Sequence, residues 1–302
     1  MKKVIIVGNG PAGISAALYT VRAGLETVVI GNGLGSLEKA DKIENFYGFE
    51  KPISGSDLVK NGLAQAMRLG VTILPEEVVS ISIESADSGE SENESIFRIK
   101  TDIHEHIAHA VILATGSSRN APPIKGLKEL EGQGVSYCAV CDAFFYRGKN
   151  VGVLGSGDYA LNEVKELLPI ANSVTMFTNG SEPTVQVPSN VKVSKQSVSS
   201  LNAGPVNPLF GTAGPLESVT LSDESNVKLD GIFVAYGTAG STALAKKLGA
   251  FTEGNKIVVN SDMSTNVPGL YAAGDCIGGL LQISKAVSDG AIAGTSVIKY
   301  LR

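Results

Sequence analysis

Near its start the chain reads VIIVGNGPAG over residues 4–13, an apolar run followed by a glycine-rich turn. Apolar residues at helical spacing follow over residues 14–23, and a second apolar strand is expected over residues 27–30. Strand, turn, helix and strand together predict a βαβ unit. Glycines permit the tight turn, and the helix start offers N–H groups and a positive dipole end, so this segment predicts a dinucleotide-binding site.

A second unit of the same kind begins at Asn150. A predicted strand over residues 150–154 leads into GSGDYA at residues 155–160, and the next strand is expected over residues 173–177. The sequence therefore predicts two dinucleotide-type folds in series.

Two further strand ends flank this second unit. The predicted strand over residues 110–113 ends in Ala114-Thr115-Gly116, and that over residues 269–273 ends in Gly274-Asp275, before a final helix. We therefore predict that residues 117–241 form a domain inserted into a first, discontinuous domain made of residues 1–116 and 242–302.

Cys138 and Cys141 form a C-x-x-C pair within SYCAVCD at residues 136–142. Two intervening residues bring the sulfur atoms within disulfide range and lower a thiol pKa. A structural bridge across so short a loop would remove little chain entropy, and a zinc site would need two further ligands. Because the other cysteine, Cys276, and the histidines lie elsewhere in the sequence, the pair predicts a redox-active dithiol.

Composition excludes other classes of function. The net charge of −5 disfavours nucleic acid as a partner. No apolar run reaches the roughly 18 residues of a membrane span, and Met1-Lys2-Lys3 leads into a strand without a signal-peptide cleavage site. We therefore expect no membrane association and a cytoplasmic, reducing location, where a C-x-x-C pair is more often catalytic than structural.

Three features receive no functional assignment. The acidic residues 84–95 are expected to form a solvated hairpin tip. Cys276 is expected to be a small buried side chain. His104, His106 and His109 are expected to lie on one strand with exposed rings, and we assign them no metal.

Five motifs stand in the order typical of one enzyme family: GNGPAG at 8–13, ENF at 44–46, ATG at 114–116, CAVCDAFFY at 138–146 and TNVPGLYAAGD at 265–275. Through them nearly the whole chain resembles the low-molecular-weight thioredoxin reductases. The resemblance implies an α/β, two-domain FAD/NAD(P)-linked disulfide reductase fold whose inserted nucleotide-type domain carries the C-x-x-C pair. It also implies FAD as cofactor, thioredoxin as partner and a homodimer.

The resemblance implies roles for individual residues. Cys141 would exchange electrons with the flavin, Cys138 would attack the substrate disulfide, and Asp142 would be the general acid, unless it caps the following helix. Asp275 would bind the sugar-phosphate part of FAD and Gln282 the flavin pyrimidine. The complete expected FAD set is Gly8, Gly10, Pro11, Ala12, Gly13, Asn45, Ala114, Thr115, Gly116, Gly274, Asp275 and Gln282.

Two details stay open beside these roles. No acid ends the second strand, which reads Ile30-Gly31-Asn32, so the ribose is expected to rely on other contacts, such as Asn32. Phe144 and Phe145 are as consistent with core packing as with partner contact.

The inserted domain departs from the family where NADPH would bind. Residues 178–180 read TNG in place of the family's His-Arg-Arg, and no arginine lies between Arg147 and Arg302. A 2′-phosphate is best held by guanidinium groups, whereas residues 151–232 carry four lysines against eight acids. Thr178 also replaces the acid that NADH would require, and Tyr159 places a bulky ring in the turn. We expect the nucleotide site to be lost.

A flavin without NAD(P)H can still accept electrons one at a time, which indicates an iron–sulfur donor. A complete C-x-x-C motif together with a lost nucleotide site resembles the ferredoxin-dependent flavin thioredoxin reductases of clostridia. Three cysteines with one close pair cannot ligate a cluster, so ferredoxin would be a separate protein. Lys39 and Lys42 precede the ENF motif; ordinary solvation explains them, and the alternative is that they receive an acidic ferredoxin near the flavin edge. The alternatives are an NAD(P)H-dependent thioredoxin reductase, a flavin dithiol oxidase that uses oxygen, and an idle flavoprotein acting as a redox sensor.

Overall fold

The computed structural model describes residues 1–85, 95–116, 122–205, 214–236 and 240–302, without the side chains of Lys39, Ser85, Ser95 and Cys141. Contacts divide the chain into two compact units. Unit 1 comprises Met1–Ser118 and Gly240–Arg302, and unit 2 comprises Arg119–Ala239.

Strands and helices alternate through much of the chain. The strands are β1 Lys3–Val7, β2 Glu26–Ile30, β3 Thr72–Leu74, β4 Val78–Ser85, β5 Ser95–Thr101, β6 Glu105–Ala108, β7 Ala110–Leu113, β8 Val135–Ser136, β9 Asn150–Leu154, β10 Ser173–Phe177, β11 Lys192–Ser194, β12 Val198–Ala203, β13 Leu216–Leu221, β14 Asn226–Lys228, β15 Gly231–Val234, β16 Thr252–Glu253, β17 Lys256–Ile257 and β18 Leu270–Ala272. The helices are α1 Pro11–Arg22, α2 Gly55–Arg68, α3 Ala139–Asp142, α4 Asp158–Leu167, α5 Ser241–Lys247 and α6 Ile283–Leu301. None of the helices in the described ranges is long and apolar enough to cross a bilayer.

Unit 1 is built on a parallel sheet with the strand order β18-β7-β1-β2-β3. The strands are short apolar runs, and β7 is buried throughout, because helices and loops cover both faces of such a sheet. Helices α1 and α6 pack together against it, with Ile6, Ile112 and Ala293 in the shared core. The carboxyl ends of β1, β7 and β18 therefore meet along one edge of the sheet.

Unit 1 also contains a separate antiparallel sheet of three strands in the order β4-β5-β6. Strands β4 and β5 pair from Val78 with Thr101 to Ser85 with Ser95, as expected for a hairpin. The predicted acidic tip between them falls mostly on residues 86–94, outside the described residues.

Unit 2 repeats the nucleotide-type fold. Its parallel sheet has the order β11-β10-β9-β15-β8, and the antiparallel sheet β12-β13-β14 accompanies it. Leu154, Phe177 and Ile232 lie in its core. Since β9, α4 and β10 form the second predicted βαβ unit, the predicted fold class is confirmed.

Candidate functional site

The first glycine turn lies where β1 passes into α1. Gly8 has a φ of +116°, and a Cβ atom there would lie 2.3 Å from the carbonyl oxygen of Ala114, so glycine permits both the turn and the close approach to the end of β7. Gly10 is the N-cap of α1 and provides no side-chain cap. A Cβ atom on Gly10 would meet nothing within 4 Å. The start of α1 is therefore open to an anionic group.

Thr115, at the end of β7, is joined to the start of α5. Its hydroxyl lies 2.7 Å from the Oγ of Ser241 and accepts a hydrogen bond from the Ser241 N–H at 2.8 Å. The Thr115 N–H in turn donates to the Ser241 Oγ at 3.1 Å. Ser241 was not among the predicted site residues, although a serine at the start of a helix is a recognisable signal.

The end of β18 is fixed by two charged residues of α6. Asp289 is buried, and its carboxylate accepts a hydrogen bond from the Gly274 N–H at 3.1 Å. Lys285 donates to the carbonyl oxygens of Gly274 and Gly278 and lies 2.7 Å from Asp289. This pair was not among the predicted site residues, although a base and an acid four residues apart on the predicted final helix would have indicated it.

Asp275 lies beside this network and is affected by it. Burial raises the pKa of its carboxyl group; the Lys285 ammonium opposes the rise and the Asp289 carboxylate adds to it. A hydroxyl group that donates a hydrogen bond to the Asp275 carboxylate would stabilise its charged form.

Two predicted flavin-binding residues from distant parts of the chain are brought together. The Asn45 side-chain amide donates to Oε1 of Gln282 at 2.9 Å. Gln282 is the N-cap of α6 without capping it through its side chain, so that helix start is also open. Asn32, in contrast, is exposed, and the amide of Asn9 bonds to the Gly33 carbonyl at 2.9 Å.

The redox motif of unit 2 lies at the start of the short helix α3, which begins directly after Cys138. Cys138 is buried and disulfide-bonded, and the side chain of Cys141 is outside the described part of the structure. Ser136 Oγ accepts a hydrogen bond from the Cys138 N–H at 3.1 Å and donates to the Asp142 carboxylate at 2.6 Å. Asp142 precedes the following turn of 3₁₀ helix but makes no capping bond. The alternative role of Asp142 as a helix cap is therefore not observed.

Helix α4 supports the motif from inside the unit. Glu163 is only 1% exposed, and its carboxylate accepts a hydrogen bond from the Ala139 N–H at 2.6 Å. Glu163 was not among the predicted site residues. An acid on the buried face of α4, beside Tyr159, Ala160, Val164 and Leu167, would have been the signal.

Tyr159 differs from its predicted position. Its ring is buried, and its hydroxyl donates to the Tyr137 carbonyl at 3.2 Å. Burial and the nearby Glu163 carboxylate raise the pKa of the phenol. The expectation that this ring stands in the glycine turn is therefore wrong, because the first turn of α4 directs it into the core.

Apolar side chains beside the disulfide are open to solvent. Phe144 is 70% exposed and Phe145 67%, with their ring centres 6.1 Å apart, and Val140 is also exposed. The Arg147 guanidinium lies 5.5 Å from the Phe144 ring centre. Of the two alternatives for the phenylalanines, core packing is excluded, and the group forms an apolar surface patch.

The second glycine turn is contacted by Thr184. The N–H and the hydroxyl of Thr184 both donate to the Ser156 carbonyl, at 2.9 and 3.3 Å. Asp158 contributes a carboxylate to the first turn of α4.

The segment after β10 is also tied to the protein. Thr178 is fully buried, and its hydroxyl donates to the Ser181 carbonyl. Glu182 lies 2.6 Å from the ammonium group of Lys195.

The structure confirms the prediction for Cys276, which lies outside the redox motif, but not the prediction for the three histidines. Cys276 is free and buried, as predicted, and burial raises its thiol pKa to about 11. The prediction of three exposed histidine rings is wrong. His104 is exposed, but His106 is half-buried against Glu76, and His109 accepts a hydrogen bond from the Lys3 N–H at 3.0 Å.

Comparison with known proteins places this arrangement in a family. Residues 2–290 match the pyridine nucleotide-disulphide oxidoreductase family. The chain is 35% identical to a thioredoxin reductase of Bacillus subtilis, over 99% of this chain and 94% of the relative. It is 33% identical to one of Aquifex aeolicus, over 99% and 93%.

Two similar solved structures are also thioredoxin reductases. The atypical thioredoxin reductase TRi from Desulfovibrio vulgaris Hildenborough has a TM-score of 0.83 at 37% identity, covering 100% of this chain and 98% of that one. A ferredoxin-flavin thioredoxin reductase from Clostridium acetobutylicum has a TM-score of 0.66 at 29% identity, covering 100% and 99%.

The chain belongs to the pyridine nucleotide-disulphide oxidoreductase family. Within that family it is of the thioredoxin reductase type, a flavoenzyme that acts on a disulfide and uses FAD. The residues present fit this cofactor, since unit 1 offers the open helix start at Gly10, the half-buried acid Asp275 and the open start of α6 at Gln282.

Proposed function

We propose that the chain reduces thioredoxin with electrons that reach its FAD from reduced ferredoxin, not from NAD(P)H. The observation that carries this proposal is the glycine turn of unit 2, where Thr184 bonds twice to the Ser156 carbonyl and Asp158 places a carboxylate in the first turn of α4. Unit 1 would be the FAD-binding domain, and unit 2 would keep the nucleotide-type fold as a scaffold for the dithiol.

The start of α4 is a poor site for a pyrophosphate. An anion at a helix N-terminus is stabilised by free N–H groups and the positive end of the helix dipole. Here the Asp158 carboxylate already supplies a negative charge in the first turn and would repel phosphate oxygens. Thr184 lies against the glycine turn that the pyrophosphate would have to approach.

The site for the adenosine ribose also lacks its recognition groups. Thr178 is fully buried and uses its hydroxyl within its own loop, so it cannot substitute for an arginine. Lys195, in the adjacent segment, is already paired with Glu182. Neither a 2′-phosphate nor a free ribose hydroxyl finds its usual partner there.

Ferredoxin as donor is supported by similarity and by charge. The Clostridium acetobutylicum structure with a TM-score of 0.66 is described as a ferredoxin-flavin thioredoxin reductase. Lys42, Lys51 and Lys60 are exposed in unit 1, on the same unit as the proposed flavin site. An acidic donor would be steered to such a local patch despite the net charge of −5.

In this proposal Cys138 and Cys141 form the redox couple, and Cys138 attacks the thioredoxin disulfide. FAD supplies the electron pair that reduces the couple. The Cys138 thiolate forms a mixed disulfide with one partner sulfur, and the other leaves as a thiolate. Asp142, held by the 2.6 Å hydrogen bond from Ser136, is the proposed proton donor to that leaving sulfur. The exposed patch of Val140, Phe144 and Phe145 is the proposed thioredoxin contact.

The expected FAD residues remain part of the proposal. The turn from Gly8 to Gly13 would hold the pyrophosphate, and Asp275 the sugar-phosphate part. Asn45 and Gln282, already bonded to each other, would face the flavin ring. The homodimer and cytoplasmic location expected from the resemblance are also proposed, and light scattering of the purified protein tests the dimer.

An anaerobic mixing experiment tests the choice of donor. The yellow protein is mixed separately with NADPH, NADH and reduced ferredoxin while the flavin absorbance is recorded. We expect ferredoxin alone to bleach the flavin within seconds, followed by reduction of added thioredoxin. Rapid bleaching by either nucleotide would favour the NAD(P)H-dependent alternative. In a separate aerobic assay, oxygen consumption driven by a small dithiol, together with no anaerobic bleaching by ferredoxin, would favour the oxidase.

A further inference from the structure

Unit 1 holds a cluster of potential metal ligands that the redox chemistry does not use. Glu76 precedes β4, His104 lies in the turn between β5 and β6, and His106 lies in β6. One ligand atom from each lies within 4.8 Å of the others. Among the described residues, no other group of three histidine, cysteine or acidic side chains meets this criterion. We propose that Glu76, His104 and His106 bind one divalent transition-metal ion of the Zn²⁺ type.

The Glu76 carboxylate contacts both imidazole rings. The Glu76 Oε1 atom lies 2.9 Å from Nδ1 of His104, and Oε2 lies 2.8 Å from Nε2 of His106. In a tetrahedral Zn²⁺ site with bonds of about 2.0–2.2 Å, neighbouring ligands are about 3.3 Å apart. The two rings meet different oxygens of the carboxylate, and one ligand atom per residue lies within 4.8 Å of the others, so side-chain rotations have to bring the three atoms to that spacing around one ion.

The chemistry of the donor set fits such an ion. Two imidazoles and one carboxylate bind Zn²⁺ and leave the fourth position to water. Glu76 is 5% exposed, and its carboxylate contacts both imidazole rings and accepts a hydrogen bond from the Thr101 hydroxyl. His104 is 64% exposed, which gives an ion access from solvent.

The surrounding turn holds the ligands in place. The Thr101 hydroxyl donates to Oε2 of Glu76 at 2.7 Å and accepts hydrogen bonds from the N–H groups of Ile103 and His104. Thr101 is itself buried. Such contacts to metal ligands fix their orientation and reduce the entropy lost on binding. His104 and His106, two residues apart, present their rings to the same carboxylate.

The test uses untagged, oxidised holoenzyme, because Cys138 is then in its disulfide and a free dithiol cannot compete for the ion. Zn²⁺ binding is measured by calorimetry, and Co²⁺ is added separately to record the visible absorption of a tetrahedral site. We expect one equivalent per chain. His104→Gln and His106→Gln should each weaken binding at least tenfold, whereas His109→Gln, outside the cluster, should leave it unchanged.

Two outcomes would overturn the proposal. One is wild-type protein that binds no stoichiometric Zn²⁺ and gives no tetrahedral Co²⁺ spectrum; the contacts are then a hydrogen-bond network only. The other is a His104→Gln variant that binds as tightly as wild type. Because His104 is largely exposed, this substitution leaves the fold intact, and circular dichroism of the variant checks it. Neither readout depends on reductase activity.

Discussion

Replacing Glu163 should change both the stability of unit 2 and the potential of its dithiol. The Glu163 carboxylate accepts the Ala139 N–H at 2.6 Å, and both residues are buried beside Cys138. A hydrogen bond to a charged group contributes about 1.5–3 kcal/mol, and a buried donor left without a partner costs about 1–3 kcal/mol. Glu163→Leu leaves the Ala139 N–H without this acceptor, so we expect a loss of about 1–3 kcal/mol in the free energy of unfolding.

Glu163→Gln separates the charge from the hydrogen bond. The amide oxygen can still accept from Ala139, so stability should fall by less than in Glu163→Leu. Removing a negative charge next to the motif should lower the thiol pKa and stabilise the reduced couple. For each pKa unit, about 1.4 kcal/mol, the reduction potential should rise by about 30 mV.

The assays are urea unfolding and equilibration of the dithiol with glutathione buffers of known potential. Glu166→Gln is the matched control, because Glu166 lies on the same helix but is exposed. A Glu163→Gln variant with wild-type potential, or a Glu163→Leu variant more stable than wild type, would refute the reasoning.

Four other outcomes are expected. Asp142→Asn should slow thioredoxin reduction by about 10²-fold while ferredoxin still bleaches the flavin at the wild-type rate, which rapid mixing distinguishes. Phe144→Ala with Phe145→Ala should raise the KM for thioredoxin about tenfold with little change in melting temperature, because both rings are exposed; a large loss of stability instead would assign them to the core. Lys42→Glu should lower the ferredoxin-driven rate at low salt, and no loss would place the docking surface elsewhere. Cys276, with its pKa raised to about 11, should escape alkylation in native protein up to about pH 9, as mass spectrometry would show.

The strands and turns of the fold were predictable from local sequence. Strands β7, β9 and β10 match the predicted ranges, since buried parallel strands are short apolar runs that end at glycine or polar residues. The pairing of α1 with α6 was not predictable in this way, because it joins segments far apart in the chain.

The polar contacts of the candidate sites were largely unpredictable. Thr184 meets Ser156, and Glu163 meets Ala139, only after the chain has folded. The sequence showed that Thr178 stands where the family has a basic residue, but it did not show that the Thr178 side chain is buried. The direction of the Tyr159 ring was predicted wrongly. Its position in the motif was clear from the sequence, but the direction of the ring depends on packing in the folded unit.

The order of strands in unit 1 has a consequence for synthesis on the ribosome. Strand β7 pairs with β1 on one side and with β18 on the other. Residue 270 is translated roughly 8–30 s after residue 113 at about 5–20 residues per second. During that time unit 2 is complete, while one edge of β7 has no partner strand. An unpaired apolar edge is a template for aggregation, so the nascent chain passes through an interval in which chaperone protection of this edge matters.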